Sequence, residues 1–136
     1  MMRILICGAR DFDDITRIDG FVGSLPKDSI IIEGEAKGAD SLARDCSIKY
    51  GLEVEKYPAD WNTYGRGAGP IRNKQMLIEG KPDIIIGYSK DIKTSKGTKN
   101  MLTQGIKAGV PCYLNALDIF NIDLGITRQL SLEDLT

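Results

Sequence analysis

Five short apolar runs punctuate the chain, at RILICG (3–8), SIIIEG (29–34), LEVEKYP (52–58), DIIIGYS (83–89) and VPCYL (110–114). A strand with one wet face alternates apolar and polar residues, whereas a strand covered on both faces reads apolar throughout; the isoleucine triplets at 30–32 and 84–86 are of the second kind. The run at 52–58 is the weakest of the five. Between the runs the apolar residues change to helical spacing: Ile15, Ile18, Val22 and Leu25, then Leu42, Cys46 and Tyr50, then Thr98, Met101, Leu102, Gly105 and Ile106. Strand and helix therefore alternate with short connections. This predicts an α/β fold, a mostly parallel sheet of about five strands with helices on both faces.

A chain of 136 residues is enough for one domain with one sizeable core. All five runs lie within 1–114, which is read as that domain. The remainder, 115–136, is partly apolar without a clean period, and is read as a C-terminal extension that packs on the domain, forms a lid or joins a partner subunit in a homo-oligomer. With 18 Lys+Arg against 19 Asp+Glu the chain carries no overall positive field, which argues against nucleic acid as the partner. Cys7, Cys46 and Cys112 are widely spaced in apolar surroundings and there is no histidine, so no zinc set is expected. They read as reduced, buried thiols of a cytoplasmic protein. No apolar run approaches ~20 residues, so no membrane span is expected.

In open parallel sheets ligands bind beyond the carboxyl ends of the strands, where loops lead into helices. The unusual residues of this chain gather there. In GARD (8–11), Gly8 permits close backbone approach, Arg10 can clamp a phosphate and Asp11 can accept from ribose hydroxyls, with Asp13 and Asp14 suited to the first turn of the next helix; an ordinary turn with Arg10 and Asp11 paired in solvent fits equally well. GEAKGAD (34–40) repeats the device with Gly34, Gly38 and Asp40, the last an alternative to Asp11 as the acceptor for ribose and also a natural N-cap. It lacks the Gly-Lys-Ser/Thr ending of a Walker loop and the spacing of GxGxxG.

The longest of these stretches is PADWNTYGRGAGPIRNKQML (58–77). Pro70 is placed at the first position of a helix, with Ile71, Gln75 and Ile78 on one face and Arg72 and Met76 on another. Arg66, Gly69, Arg72 and Asn73 surround one turn and form a candidate phosphate cradle, while Trp61 and Tyr64 offer flat faces for a base. The alternative makes Trp61 a core anchor and pairs the arginines with carboxylates. In TSKGT (94–98), Gly97 and Thr98 open a helix, with Thr98 either capping it or bonding a phosphate. A metal is not called for, and Mg²⁺ is expected only with a phosphate ligand.

Taken together, GARDF (8–12), GEAKGAD, the PADW…GRGAGPIRNKQML block and Gly97-Thr98 resemble, in order and spacing, the YspA-like, cpYpsA-related branch of the SLOG superfamily, which also holds the DprA/Smf proteins and the LOG phosphoribohydrolases. The resemblance spans roughly residues 2–114. It implies a Rossmann-like fold whose loops bind a nucleotide or nucleotide-derived ligand of the ADP-ribose, NAD or nucleoside phosphate class, as a sensor and with no cofactor required. Two other activities follow from the wider superfamily. One is cleavage of an N-glycosidic bond, for which Asp11, Asp40 and Asp60 are the candidate catalytic acids. The other is DprA-like binding of single-stranded DNA. LOG enzymes pair an arginine, to which Arg72 is similar, with a glutamate in a Pro-Gly-Gly-x-Gly-Thr-x-x-Glu loop; here Thr94-Ser95 replace the glycines and Met101 replaces the glutamate. Fold and ligand class therefore carry over better than hydrolysis.

Overall fold

The computed structural model describes residues 1–136. In chain order the elements are β1 (Arg3–Gly8), α1 (Ile15–Gly23), β2 (Ile30–Glu33), α2 (Ala39–Lys49), β3 (Glu53–Lys56), α3 (Trp61–Tyr64), α4 (Ala68–Gly80), β4 (Ile84–Tyr88), α5 (Lys96–Lys107), β5 (Cys112–Leu114) and α6 (Ile119–Asp123), with short 3-10 turns at Gly65–Gly67 and Leu132–Leu135. The strands form one sheet in the order β3-β2-β1-β4-β5, and every neighbouring pair is parallel. This is the Rossmann-like α/β arrangement.

Successive side chains of a strand point to opposite faces, so each apolar run fills two cores at once. Ile4, Ile6, Ile31, Ile84, Ile86 and Tyr88 face one layer, where they meet Phe21 of α1, Ala43 and Cys46 of α2 and Ile119 of α6. Leu5, Cys7, Ile32, Ile85 and Cys112 face the other, against Met76 of α4 and Met101 and Leu102 of α5. Both faces of β1, β2 and β4 are covered, which is why those runs carry no alternation, whereas the edge strand β3 alternates and is exposed or half-buried. The segment after β5 contributes to both layers. Ala116 and Ile119 join the first cluster, Leu135 joins the second, and the Leu130 amide donates to Cys112 O at 2.8 Å along the outer edge of β5. No helix is long and apolar enough to cross a membrane.

Several helix starts differ from the sequence expectation. Asp14 is the N-cap of α1 and accepts from Arg17 N, rather than lying in the first turn. In α4 Pro70 is the third residue, because the helix begins at Ala68; proline is tolerated there since the first-turn amides have no helical acceptor anyway. The row Ile71, Gln75 and Ile78 turns to solvent, and the buried face carries Ala68, Asn73, Met76 and Gly80. Asp40 is not the cap of α2 but its second residue, two positions after the N-cap Gly38.

The chain runs outward through β1, β2 and β3, returns across the sheet to β4, and continues outward to β5. At the border of β1 and β4 the following connections diverge to opposite faces, and a crevice opens above the strand ends. Gly8 sits in it. A Cβ there would collide with the Ala39 side chain and Tyr88 O, so glycine lets α2 and β4 close over the end of β1.

Candidate functional site

The crevice is a cavity of about 1120 Å³, walled by the loops after β1 and β2, the segment leading into α4, and the loop into α5. Its lining contains Gly8, Arg10, Asp11, Gly34, Asp40, Trp61, Arg66, Gly69, Arg72, Asn73, Gly97 and Thr98. Three candidate residues, Gly38, Asp60 and the exposed Tyr64, are not part of it. Gly38 has φ 73°, and a Cβ on it would strike the Ala9 and Arg10 carbonyl oxygens, so it locks two loops together instead of touching a ligand. Asp60 is the N-cap of α3, where its Oδ1 accepts from Thr63 N at 3.1 Å, and it lies outside the cavity lining.

Three helix starts are capped by an aspartate: α1 by Asp14 and α6 by Asp118, both away from the cavity, and α3, whose first residue Trp61 lines it, by Asp60. At the cavity, α2, α4 and α5 begin at Gly38, Gly67 and Ser95 with no side-chain cap. Ser95 spends its hydroxyl on Ser89 and Asp91 O. Thr98, 3 % exposed, does not cap α5 either, and its hydroxyl takes no partner in the protein. Uncapped first-turn amides with the positive end of a helix dipole form an anion site.

Charge concentrates in the same place. Arg10, Lys37, Arg66, Arg72 and Lys96 line the cavity against the three carboxylates of Asp11, Glu35 and Asp40. None of the five cations is in an ion pair. Glu35 instead lies 3.9 Å from Lys56. The reading that paired the arginines with carboxylates is therefore not what the structure holds. Arg72 donates from Nη1 to Gly34 O and from Nε to Asn73 Oδ1 at 3.1 Å, both neutral acceptors. Asn73 donates in turn to Gly97 O at 3.3 Å and to Asn100 Oδ1 at 3.1 Å. One network thus joins the β2 loop, α4 and α5 around a guanidinium whose charge nothing neutralises at contact distance.

Trp61 is 49 % exposed and is no core anchor. The guanidinium carbon of Arg10 lies 5.9 Å from its ring centroid, a cation–π distance. The pair forms a flat-faced side to the cavity. Burial raises the Asp40 carboxyl from its usual value, while the Ala36 and Gly34 amides and Arg72 hold it down. Burial also pushes the Cys7 thiol well above its ordinary range, so this lining cysteine is an inert thiol. Glu33, beside the site at the end of β2, is fully buried; burial is the main cause that lifts its carboxyl to about 7.

The residues that the sequence reading passed over are Lys37, Lys96, Asn100 and Glu33. Both lysines sit inside the loops already singled out, and their charge was the available signal. For Glu33 it was an acid ending an otherwise apolar run.

A family profile for the YspA, cpYpsA-related SLOG family matches residues 2–64. The Gene 61 protein of Mycobacterium phage D29 is 30 % identical over 120 residues, covering 82 % of this chain and 94 % of that protein. The chain belongs to the YspA, cpYpsA-related SLOG family. Among solved structures, DNA processing protein A (DprA) from Streptococcus pneumoniae shares the fold, with a TM-score of 0.67 at 13 % identity over 84 % of this chain; the SLOG chain spans half the length of that protein, 50 %. Within this SLOG chain Met101, at the position where LOG enzymes have their glutamate, has 0 % exposure and is packed into the second apolar cluster. That position offers the cavity no carboxylate.

Proposed function

We propose that the cavity binds a nucleotide or nucleotide-derived ligand through its phosphate, and that this SLOG protein holds the ligand rather than cleaving it. The observation that carries the reading is the convergence of unpaired cations with uncapped helix starts on one concave site. A protein with formal net charge −1 keeps five unpaired cations around one cavity, which favours an anion there over any neutral ligand. Phosphate rests on the α5 amides, with Arg72 beside them and Arg66 and Lys96 adding charge. The half-exposed indole of Trp61 gives a base a surface to stack on. What supports holding over cleaving is that Met101, where LOG enzymes have their glutamate, is packed into the core and that Asp60, one of the three candidate acids, lies outside the lining.

The test is thermal unfolding of the full chain with AMP, ADP, ADP-ribose and NAD, each beside its phosphate-free nucleoside. Stabilisation by at least one phosphate-bearing ligand, and by none of the nucleosides, is the expected result. Equal shifts by nucleoside and nucleotide would contradict a phosphate-led site. Because the structural neighbour from Streptococcus pneumoniae is named for DNA processing, a single-stranded oligonucleotide belongs in the same panel. Strong, steeply salt-dependent binding of it would replace the small-ligand reading with a strand-binding one.

A further inference from the structure

The carboxylate of Asp40 is an unusual wall for an anion cavity. Its residue is 4 % exposed, yet it lines the cavity. One oxygen, Oδ2, is fully used, accepting from Gly34 N at 3.1 Å and Ala36 N at 3.2 Å. The other, Oδ1, accepts nothing from the protein. It is not a sealed-in orphan, since the only fully occluded side-chain atoms without partners are Ser29 Oγ and Glu33 Oε1. An ionised carboxylate can only accept, so Oδ1 calls for a donor from whatever fills the cavity.

Its position narrows what that donor is. Gly34 gives its amide to Asp40 and its carbonyl to Arg72, so a single residue separates the free acceptor from the unneutralised guanidinium. A second phosphate beside Asp40 would meet a buried negative charge. In a nucleotide whose phosphate lies at Arg72, the neighbouring unit is the sugar, and its hydroxyls are neutral donors. We propose that Asp40 is the specificity-determining residue of this cavity and selects ribose over deoxyribose by accepting from sugar hydroxyls through Oδ1.

This inference rests on the nucleotide reading of the same cavity, and its test separates the two. Affinities of the full chain are measured by calorimetry for AMP, 2′-deoxyAMP and 2′,3′-dideoxyAMP, and for ribose 5-phosphate against 2-deoxyribose 5-phosphate. The expected result is a loss of about ten- to a hundredfold on removing the hydroxyls, in the base-free pair as well, because a buried charged acceptor is then left unpaired. Equal affinities for ribo and deoxy forms would overturn the inference while leaving nucleotide binding intact. Discrimination confined to the base-bearing ligands would overturn it too, by moving the donor to the base. No binding of any of these ligands would overturn the inference, and the nucleotide reading falls with it if ADP, ADP-ribose and NAD also fail to stabilise the chain. Asp40→Asn keeps an oxygen for the two loop amides and turns a donor towards the cavity; it is expected to shrink the ribose preference to within about threefold. A variant that folds and keeps the full preference would assign the discrimination elsewhere. Should it not fold, the wild-type sugar pair decides alone.

Discussion

Arg72→Ala is expected to weaken AMP binding on the order of a hundredfold while leaving the chain folded. The guanidinium is positioned by Gly34 O and Asn73 Oδ1, which orient it without cancelling its charge, so its attraction for a phosphate is not offset by an ion pair that must first be broken. Charge-assisted hydrogen bonds to a group of this kind are worth about 1.5–3 kcal/mol, which corresponds to roughly ten- to more than a hundredfold in affinity. The structural loss is confined to two bonds to neutral acceptors, Gly34 O and Asn73 Oδ1, at about 1 kcal/mol each, and Asn73 still ties α4 to α5 through Gly97 and Asn100. Calorimetric titration beside a thermal melt separates the two effects. Arg72→Lys should fall between wild type and alanine, since a point charge cannot hold Gly34 O and a phosphate with one planar fork. An alanine variant that folds and binds AMP within threefold of wild type would remove Arg72 from the phosphate site.

Glu33→Gln is expected to flatten the pH dependence of stability. Glu33 ends β2 on the face that Ile31 shares with α2, has 0 % exposure, and accepts only the Glu35 amide, at 2.6 Å, leaving Oε1 without a partner. Burial is the chief cause of its raised carboxyl, with Asp40 and Glu35 adding to the rise and the Glu35 amide and Arg44 opposing it. The sign follows from linkage. The folded chain holds a proton here up to about 7, whereas the unfolded chain releases it near 4.5. The contribution is fully present below 4.5 and is lost as pH rises through 7, a change on the order of 3 kcal/mol. Glutamine repeats the bond to the Glu35 amide and does not ionise. Denaturant unfolding at pH 5 and pH 8 should show the wild type losing about 2 kcal/mol more than the variant across that interval. Equal losses would mean that the buried charge of Glu33 is not what titrates.

The sheet was legible because its central strands β1, β2 and β4 are buried on both faces, and an isoleucine triplet has no other comfortable place in a chain of this size; the exposed edge strand β3 gave the weakest run. The loops were legible because glycine, arginine and lysine recur at strand ends, where a purely structural connection has no use for them together. What could not be read was how each polar residue divides its bonds. Asp40 and Asp60 are both aspartates near helix starts, yet Asp60 caps α3 and points its charge into the backbone, while Asp40 lies one residue inside its helix and keeps an oxygen free. Gly38, at φ 73°, takes the N-cap two positions before Asp40, so the helix has already begun when the aspartate is reached. Nor does spacing along the helix distinguish an apolar row that is buried from one that is exposed, as Ile71 and Ile78 show, because the neighbouring layer decides which face is covered.

The most direct measurement is an amide-resolved ¹H–¹⁵N NMR titration of the full chain with AMP. Saturable shifts are predicted at Gly34 and Ala36, at Gly69, and at Lys96, Gly97 and Thr98, together with the Trp61 indole N–H, while the amides of α1 and α6, whose starts are capped by Asp14 and Asp118, stay in place. Shifts that avoid the first turn of α5, or none at millimolar AMP, would contradict a nucleotide phosphate held where the uncapped helices converge.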